Sequence, residues 1–399
     1  MKTLLRCIFT VFAAVILFSC NRTENEVPHI RRVVLMYAAA YSNLSPSIAE
    51  DVKEMCEGAI PSAGSGDVFL VYGHFTKKNG DYSTPTNPLL IRAYKDLDGK
   101  VKKDTLVVYP ETDISSSAEV FHKVLSDVKE YFPASSYGLI FSSHATGWLP
   151  AGFSDPDYIL FSTSGSHEVY PLTKCLGTEN AKPSGIDIQD MADAIPMKLD
   201  FFLMDACLMG CVEVAYELRD KCRFLAFSPT EILSNGFIYS SMASHILNVQ
   251  EPQLEQVCQE YFDYYNKQSD YYQSATITLL DCSKTVAIAE ACAEIVAAHR
   301  SSFDTVQRSS VQAYFYNSLH WFYDLRDMMV KAGATDAELR KLDAALDECI
   351  IYTAATPKFF SLKLERVCGL SMYLPFPDRD DINDFYKTLS WNKAVGLIQ

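Results

Sequence analysis

The sequence predicts an α/β fold: a mostly parallel central sheet flanked by helices, with a helical C-terminal portion. Three observations predict it. Continuous apolar runs such as "RRVVLMYAAAY" (31–41) and "YGLIFSSH" (137–144) read as strands buried on both faces. Helical stretches alternate with these runs, as in a sheet covered on both sides. Apolar residues make up 48% and charged residues 21% of 399, so the chain can bury a sizeable core.

The elements follow in order. Lys2 and Arg6 precede the apolar stretch "CIFTVFAAVILF", which is too short for a comfortable membrane span. It ends in "LFSC", which resembles a bacterial lipoprotein signal in which Cys20 carries the lipid. The other reading is an ordinary cleaved signal peptide. Residues 1–19 are thus expected to be a leader and 20–29 a polar tether. A core spans 30–236, and 237–399 forms the helical portion. Within the core, "SPSIAEDVKEMCEGA" predicts a helix and "GDVFLVYGHF" (66–75) a strand. "LLIRAYKD" and "KDTLVVY" form a hairpin around "LDGK". A helix over 117–132 and the strand 137–144 follow. Residues 145–185, rich in Gly, Ser, Thr and Pro, read as a long functional loop. Then come a short helix "DIQDMADAI", a strand "LDFFLMD", a helix "GCVEVAYELRD" and a strand "CRFLAFSP". Beyond 236, helices are expected over 237–247, 251–268, 283–300, 309–332 and 336–352. "ATITLLD" (275–281) interrupts them as a strand, and "GLSMYLP" (369–375) is expected to return to the sheet.

The 35 basic and 50 acidic residues leave a net charge of −15, with no basic stripe for a nucleic acid. Of twelve cysteines, ten lie beyond Cys7 and Cys20, and their spacing fits no small disulfide framework. Cys258, Cys292 and Cys349 sit in apolar patterns, so mostly free thiols are expected. Cys207 and Cys211 lack a second pair with zinc spacing, and no metal is assigned to them. The aromatic stretches "YFDYY", "DYYQ" and "AYFYNSLHWFYD" read as core and groove packing, with His320 structural.

Reactive groups in such a sheet gather at the carboxyl ends of strands. His144 and Cys207 both sit there, just past apolar runs. A thiol attacks a carbonyl only as thiolate, so it needs a neighbouring base. A helix starting just after Cys207 would add its dipole. Backbone N–H groups at Ala145 and Cys207 are the candidate oxyanion donors. Eight histidines and ten remaining cysteines offer many pairings, so spacing alone does not select this pair.

Three segments resemble the clostripain-type cysteine peptidases, relatives of caspases, legumain and gingipain. They are "YGLIFSSHATGWLP", "IDIQDMADAIPMKLDFFLMDACLMGCVEVAYELRD", and the pieces "GLSMYLP" and "FYKTLSWNKAV". The resemblance implies a caspase/gingipain-like sandwich and an endopeptidase with Cys207 as nucleophile and His144 as general base. Asp205 is read as a structural carboxylate holding the following turn through backbone N–H bonds. Family members usually have Gly where this chain has Ala145; if that position required φ > 0, Ala would cost about 1 kcal/mol. The resemblance also implies a cut after Arg or Lys. Glu231 is read either as the acid of that pocket or as a helix-start residue beside Thr230, and Asn235 stands where an aspartate is looked for. Maturation by a cut in the 145–185 loop is expected, at Lys174 or Lys182. No cofactor is needed for the chemistry, although calcium could use Asp155, Asp157 and Glu168. The expected partners are a protein or peptide substrate and, through the lipid, a membrane; the expected state is a monomer. The competing reading is a surface-binding protein that keeps the scaffold without efficient turnover.

Overall fold

Nine strands form one sheet; from one edge to the other they begin at Ile350, Thr276, Cys222, Leu199, Ala134, Ile30, Asp67, Leu89 and Val101. They are β1 (Ile30–Ala39), β2 (Asp67–His74), β3 (Leu89–Lys95), β4 (Val101–Val108), β5 (Ala134–Ser142), β6 (Leu199–Asp205), β7 (Cys222–Phe227), β8 (Thr276–Asp281) and β9 (Ile350–Ala355). The computed structural model describes residues 29–78, 81–153, 170–174, 178–179, 182–183, 185–316 and 321–399. Cys20, Asp155, Asp157, Glu168 and His320 lie outside the described residues.

The five central strands, β7 to β2, run parallel. They are the continuous apolar runs, because helices on both faces leave neither side wet. The flanking pairs β2–β3, β3–β4, β7–β8 and β8–β9 are antiparallel. At one edge β4 is exposed over nearly its whole length, and Leu97 at the hairpin tip points into solvent.

Among the described residues the helices are α1 (Ser45–Glu57), α2 (Ala118–Tyr131), α3 (Ile188–Ala194), α4 (Val212–Glu217), α5 (Tyr239–Ile246), α6 (Leu254–Asn266), α7 (Thr285–Phe303), α8 (Leu325–Lys331), α9 (Asp336–Cys349), α10 (Asp380–Thr388) and α11 (Ser390–Val395). All nine described cysteines are free thiols, eight of them buried.

Three expectations change. Among its described residues, the stretch 309–332 is α-helical only over α8, after a 3-10 turn at Arg308–Ser310. Tyr314, Phe315, Trp321, Phe322 and Tyr323 are all buried, and successive buried aromatics suit an extended segment better than a one-sided helix. Ile350–Ala355 is an edge strand rather than the end of a helix, in keeping with its β-favouring Ile, Ile, Tyr and Thr. Ser371–Met372 pairs with Tyr323–Asp324, and Ser371 bridges to Cys211; the segment braces the loop after β6 instead of joining the central sheet.

One buried acid ties the C-terminal portion to that loop. Glu213, in the first turn of α4, is wholly buried. Its Oε1 accepts from the Tyr373 N–H at 2.9 Å and the Tyr386 hydroxyl at 2.7 Å. Burial pushes this carboxyl up to about 7, against the pull of those two donors. The folded pKa lies above the unfolded one, so the folded state binds the extra proton. Its contribution to stability is complete below the ordinary carboxyl range and is lost as pH rises through about 7. We expect Glu213→Gln to flatten the fall in Tm between pH 5 and 8. At pH 8 the variant should gain on the order of 3 kcal/mol over the parent. Thermal melts of both proteins across that range check it, and parallel curves would contradict it.

Candidate active site

The parallel register of β5 and β6 sets the site. Ser142 pairs with Asp205 at the carboxyl end of both strands. His144 and Cys207 each lie two residues further on, so they leave adjoining strands at the same level. The loops beyond them touch: a Cβ on Gly147, which has φ +63°, would lie 2.6 Å from the Leu208 carbonyl oxygen. Only glycine allows that approach. His144 is half-buried, with Nε2 2.7 Å from Asn43 Oδ1. That contact suits an imidazole protonated at Nε2, which leaves Nδ1 as the basic nitrogen.

Cys207 is fully buried. Its Sγ accepts the Ile232 N–H at 3.1 Å and lies 3.6 Å from the Ile232 carbonyl oxygen. The next residue, Leu208, takes φ +61°, a strained conformation for a branched side chain. It persists because the loop is held on both sides: Leu208 N–H donates to the Thr230 carbonyl, Gly210 N–H to Ser228, and Ser371 N–H to Gly210. The following helix begins only at Val212, so its dipole does not reach the sulfur as the sequence suggested. Ala145 does not adopt a positive φ. The strain considered for Ala at that position is absent, and with it one ground for a scaffold without turnover.

A segment of the chain itself fills the space beside Cys207. Lys174 N–H donates to the Ile232 carbonyl at 2.8 Å, and Ser234 N–H donates to the Leu172 carbonyl at 2.8 Å. Thr173 pairs with Leu233 in antiparallel fashion. The Lys174 carbonyl accepts the Ala145 N–H at 3.2 Å. One residue, Ile232, therefore holds both the sulfur and the peptide lying against it.

The Lys174 side chain is completely buried. Its ammonium pairs with Asp205, reaches Asp51 at 3.1 Å, and donates to the Ser142 hydroxyl at 3.0 Å. Asp205 also accepts from Ser142 at 3.0 Å and from the Tyr239 hydroxyl at 2.6 Å. It holds the pocket through side chains rather than the turn through backbone N–H groups. Gly236, at φ +61°, closes one wall: a Cβ there would sit 2.6 Å from Asp205 Oδ2 and 2.8 Å from Lys174 Nζ. Burial works against the ammonium, but Asp205 and Asp51 outweigh it and hold its pKa above the ordinary value. Burial likewise pushes Asp51 up to about 7, against the pull of Lys174.

Of the sequence candidates, His144 and Cys207 leave adjoining strands at the same level, and Ala145 and Cys207 are linked through the Lys174–Ile232 contact. Glu231 lies beside them, but its Oε1 accepts from the Thr173 hydroxyl at 2.9 Å, and the lysine is held by Asp51 and Asp205. Asn235 is exposed. Asp51 and Asn43 were missed. Asp51 did carry a signal: it falls on the buried stripe Ile48, Asp51, Val52, Met55 of α1, where a charge needs a partner. Among the described residues, no cluster of His, Cys, Asp and Glu is disposed to hold a metal ion.

Comparison with known proteins gives the family of the chain. The clostripain family profile matches residues 36–395. Clostripain of Hathewaya histolytica is 24% identical over 251 residues, which cover 57% of this chain and 43% of that protein. An inactive zymogen C11 protease from Parabacteroides distasonis superposes with a TM-score of 0.75 at 27% identity, covering 92% of this chain and 99% of that one. A secreted C11 cysteine protease from Bacteroides thetaiotaomicron, in complex with an irreversible peptide inhibitor, gives a TM-score of 0.74 at 24% identity. That match covers 91% of this chain and 98% of the other.

The pocket should be costly to unbalance. Asp205→Ala leaves a buried ammonium with one carboxylate and strands the Tyr239 hydroxyl. We expect a loss on the order of 3–5 kcal/mol in urea unfolding of the uncut chain. A second change, Lys174→Met, should recover much of it; no recovery would contradict the pairing.

Proposed function

The chain belongs to the clostripain family, and from that premise we propose that it is a cysteine endopeptidase working through Cys207 and His144, with preference for Lys or Arg before the cut. One observation carries this reading: the Lys174 carbonyl lies on the Ala145 N–H, while the same Ile232 that binds Lys174 holds the Cys207 sulfur. We read that arrangement as a substrate carbonyl beside a nucleophile.

The chemistry follows. His144 takes the Cys207 proton, and the thiolate attacks the carbonyl carbon. Negative charge gathers on the carbonyl oxygen, stabilised by the Ala145 N–H and the backbone N–H of Cys207. The C–N bond breaks as His144 returns the proton to the leaving amine. A thioester remains. Water, deprotonated by the same imidazole, attacks it and releases a new carboxyl terminus and the free thiol. The basic preference rests on Asp205 and Asp51, which would receive a substrate ammonium as they receive that of Lys174. A guanidinium would offer them five donors in a fixed fork.

Maturation is part of the reading. With Lys174 in the pocket, the protein is closed to other substrates until the bond after Lys174 is cut and the segment leaves. The scaffold is an exported one, anchored through a lipid on Cys20 and acting as a monomer on protein or peptide substrates. The leader sequence supports export, as does the description of the Bacteroides thetaiotaomicron relative as secreted.

Intact-mass analysis and fluorogenic peptides test the proposal, in reducing buffer with and without calcium. The parent should appear as two pieces cut after Lys174, and Cys207→Ala as a single chain. His144→Ala should lower kcat/KM by a factor on the order of 10²–10⁴. Identical single chains with no Cys207-dependent peptide cleavage would overturn it. Separately, Cys20→Ala should move the protein from the membrane fraction to the soluble one.

A further inference from the structure

We propose, resting on the reading of Lys174 as the residue before the cut, that this site recognises two further side chains: a hydroxyl residue immediately before the basic one, held by Glu231, and an aromatic residue four positions before it, held by Phe360, Tyr271 and Tyr316. The substrate class is then an extended strand with an aromatic residue, two loosely read positions, a threonine or serine, and a lysine.

The antiparallel pairing of 172–174 with 232–234 makes successive side chains point to opposite sides. Lys174 enters the acidic pocket. Thr173 turns the other way and donates its hydroxyl to Glu231 Oε1 at 2.9 Å. Glu231 is itself buried, at 3% exposure, so this acceptor faces the bound strand rather than bulk water. Leu172 is 46% exposed, and little of its side chain is read. Tyr170 then meets an aromatic recess. Its ring stacks on Phe360 with centroids 4.6 Å apart and planes at 13°. It meets Tyr271 edge-on at 4.8 Å and Tyr316 at 5.5 Å, and its hydroxyl lies 3.4 Å from Ser361 Oγ.

The recess is built rather than incidental. Phe360 is buried at 1% exposure and sits at φ +50°, a conformation held by its N–H bond to the Ser274 hydroxyl at 2.9 Å. A backbone strained to present one ring is better suited to recognition than to simple core filling. None of these contacts depends on the peptide being part of the same chain. A substrate strand of the same chemistry can make each of them once the segment has left.

The test uses the full chain after intact mass shows it cut behind Lys174, and four peptides ending in lysine linked to a fluorogenic amine: Tyr-Pro-Leu-Thr-Lys and its single alanine versions at the Tyr, Leu and Thr positions. Replacing Thr should lower kcat/KM about tenfold, the scale of a hydrogen bond to a charged acceptor. Replacing Tyr should also lower it about tenfold, the scale of lost ring stacking and area. Replacing Leu should change it less than about threefold, as suits an exposed side chain. In Glu231→Ala the Thr-to-Ala difference should disappear while the Tyr-to-Ala difference stays. Should that variant fail to fold, the peptide series on the unaltered chain still decides. Equal kcat/KM for all four peptides would overturn the two subsites and leave lysine-directed cleavage standing. Absence of Cys207-dependent cleavage of every peptide would overturn both.

Discussion

The in-register parallel pairing of Ala134–Ser142 with Leu199–Asp205 is the constraint on which the site depends. It brings together two loops distant in sequence without any contact having to be made by the reactive side chains themselves. A slip of one residue would turn every side chain of one strand to the opposite face. Asp205 would leave the pocket, and Cys207 would no longer stand level with His144. Close packing on both faces resists that slip, since Leu139, Ile140, Phe201, Phe202 and Leu203 are all buried and would each have to fit the neighbours of the opposite face. Core packing therefore sets the geometry of the chemistry.

Around this frame the molecule manages buried charge by grouping it. One ammonium, two carboxylates, a serine hydroxyl and a tyrosine hydroxyl share a single pocket on one side of the sheet end. The pairing makes the occupied pocket tolerable, and departure of the lysine leaves two carboxylates facing each other. An empty pocket is thus a strong attractor for a cation, the property a basic-residue specificity needs. Glu213 is a different solution: a lone buried carboxyl kept near neutrality by burial and satisfied by two donors from the far end of the chain.

Much of this was legible in the sequence, for physical reasons. Central parallel strands must be apolar on both faces, so Val33 to Tyr41 and Leu139 to Phe141 announced themselves. The ends of the runs at Leu139 to Phe141 and Leu199 to Asp205 then made His144 and Cys207 candidates, and the family resemblance selected them. The stretch 309–332 misled because its aromatic residues are apolar at every spacing and fit a helix and an extended segment equally well. Asp51 could have been found, as a charge on an apolar helical stripe. The seating of Tyr170 to Lys174 could not. Its backbone partners, Ile232 and Ser234, lie some sixty residues away, and nothing local in "YPLTK" marks it as a strand. Glu231 was read as the acid of the basic pocket or a helix-start residue; that it meets Thr173 instead of Lys174 depends on the alternation of that same strand.

The lysine in the pocket is joined to its own enzyme by covalent backbone, and that changes how the closed form meets competitors. A tethered group acts as though dissolved at an effective concentration on the order of millimolar. Free basic peptides at ordinary levels face that standing rival, so the uncut chain would ignore them however well they fit. A cut after Lys174 would make that lysine a chain end still joined to β5 through residues 143–173, so the rival would lose one of its two backbone connections and not the other. Access would then switch on as a segment held by backbone at both ends becomes one held at a single end, with no rearrangement of the sheet.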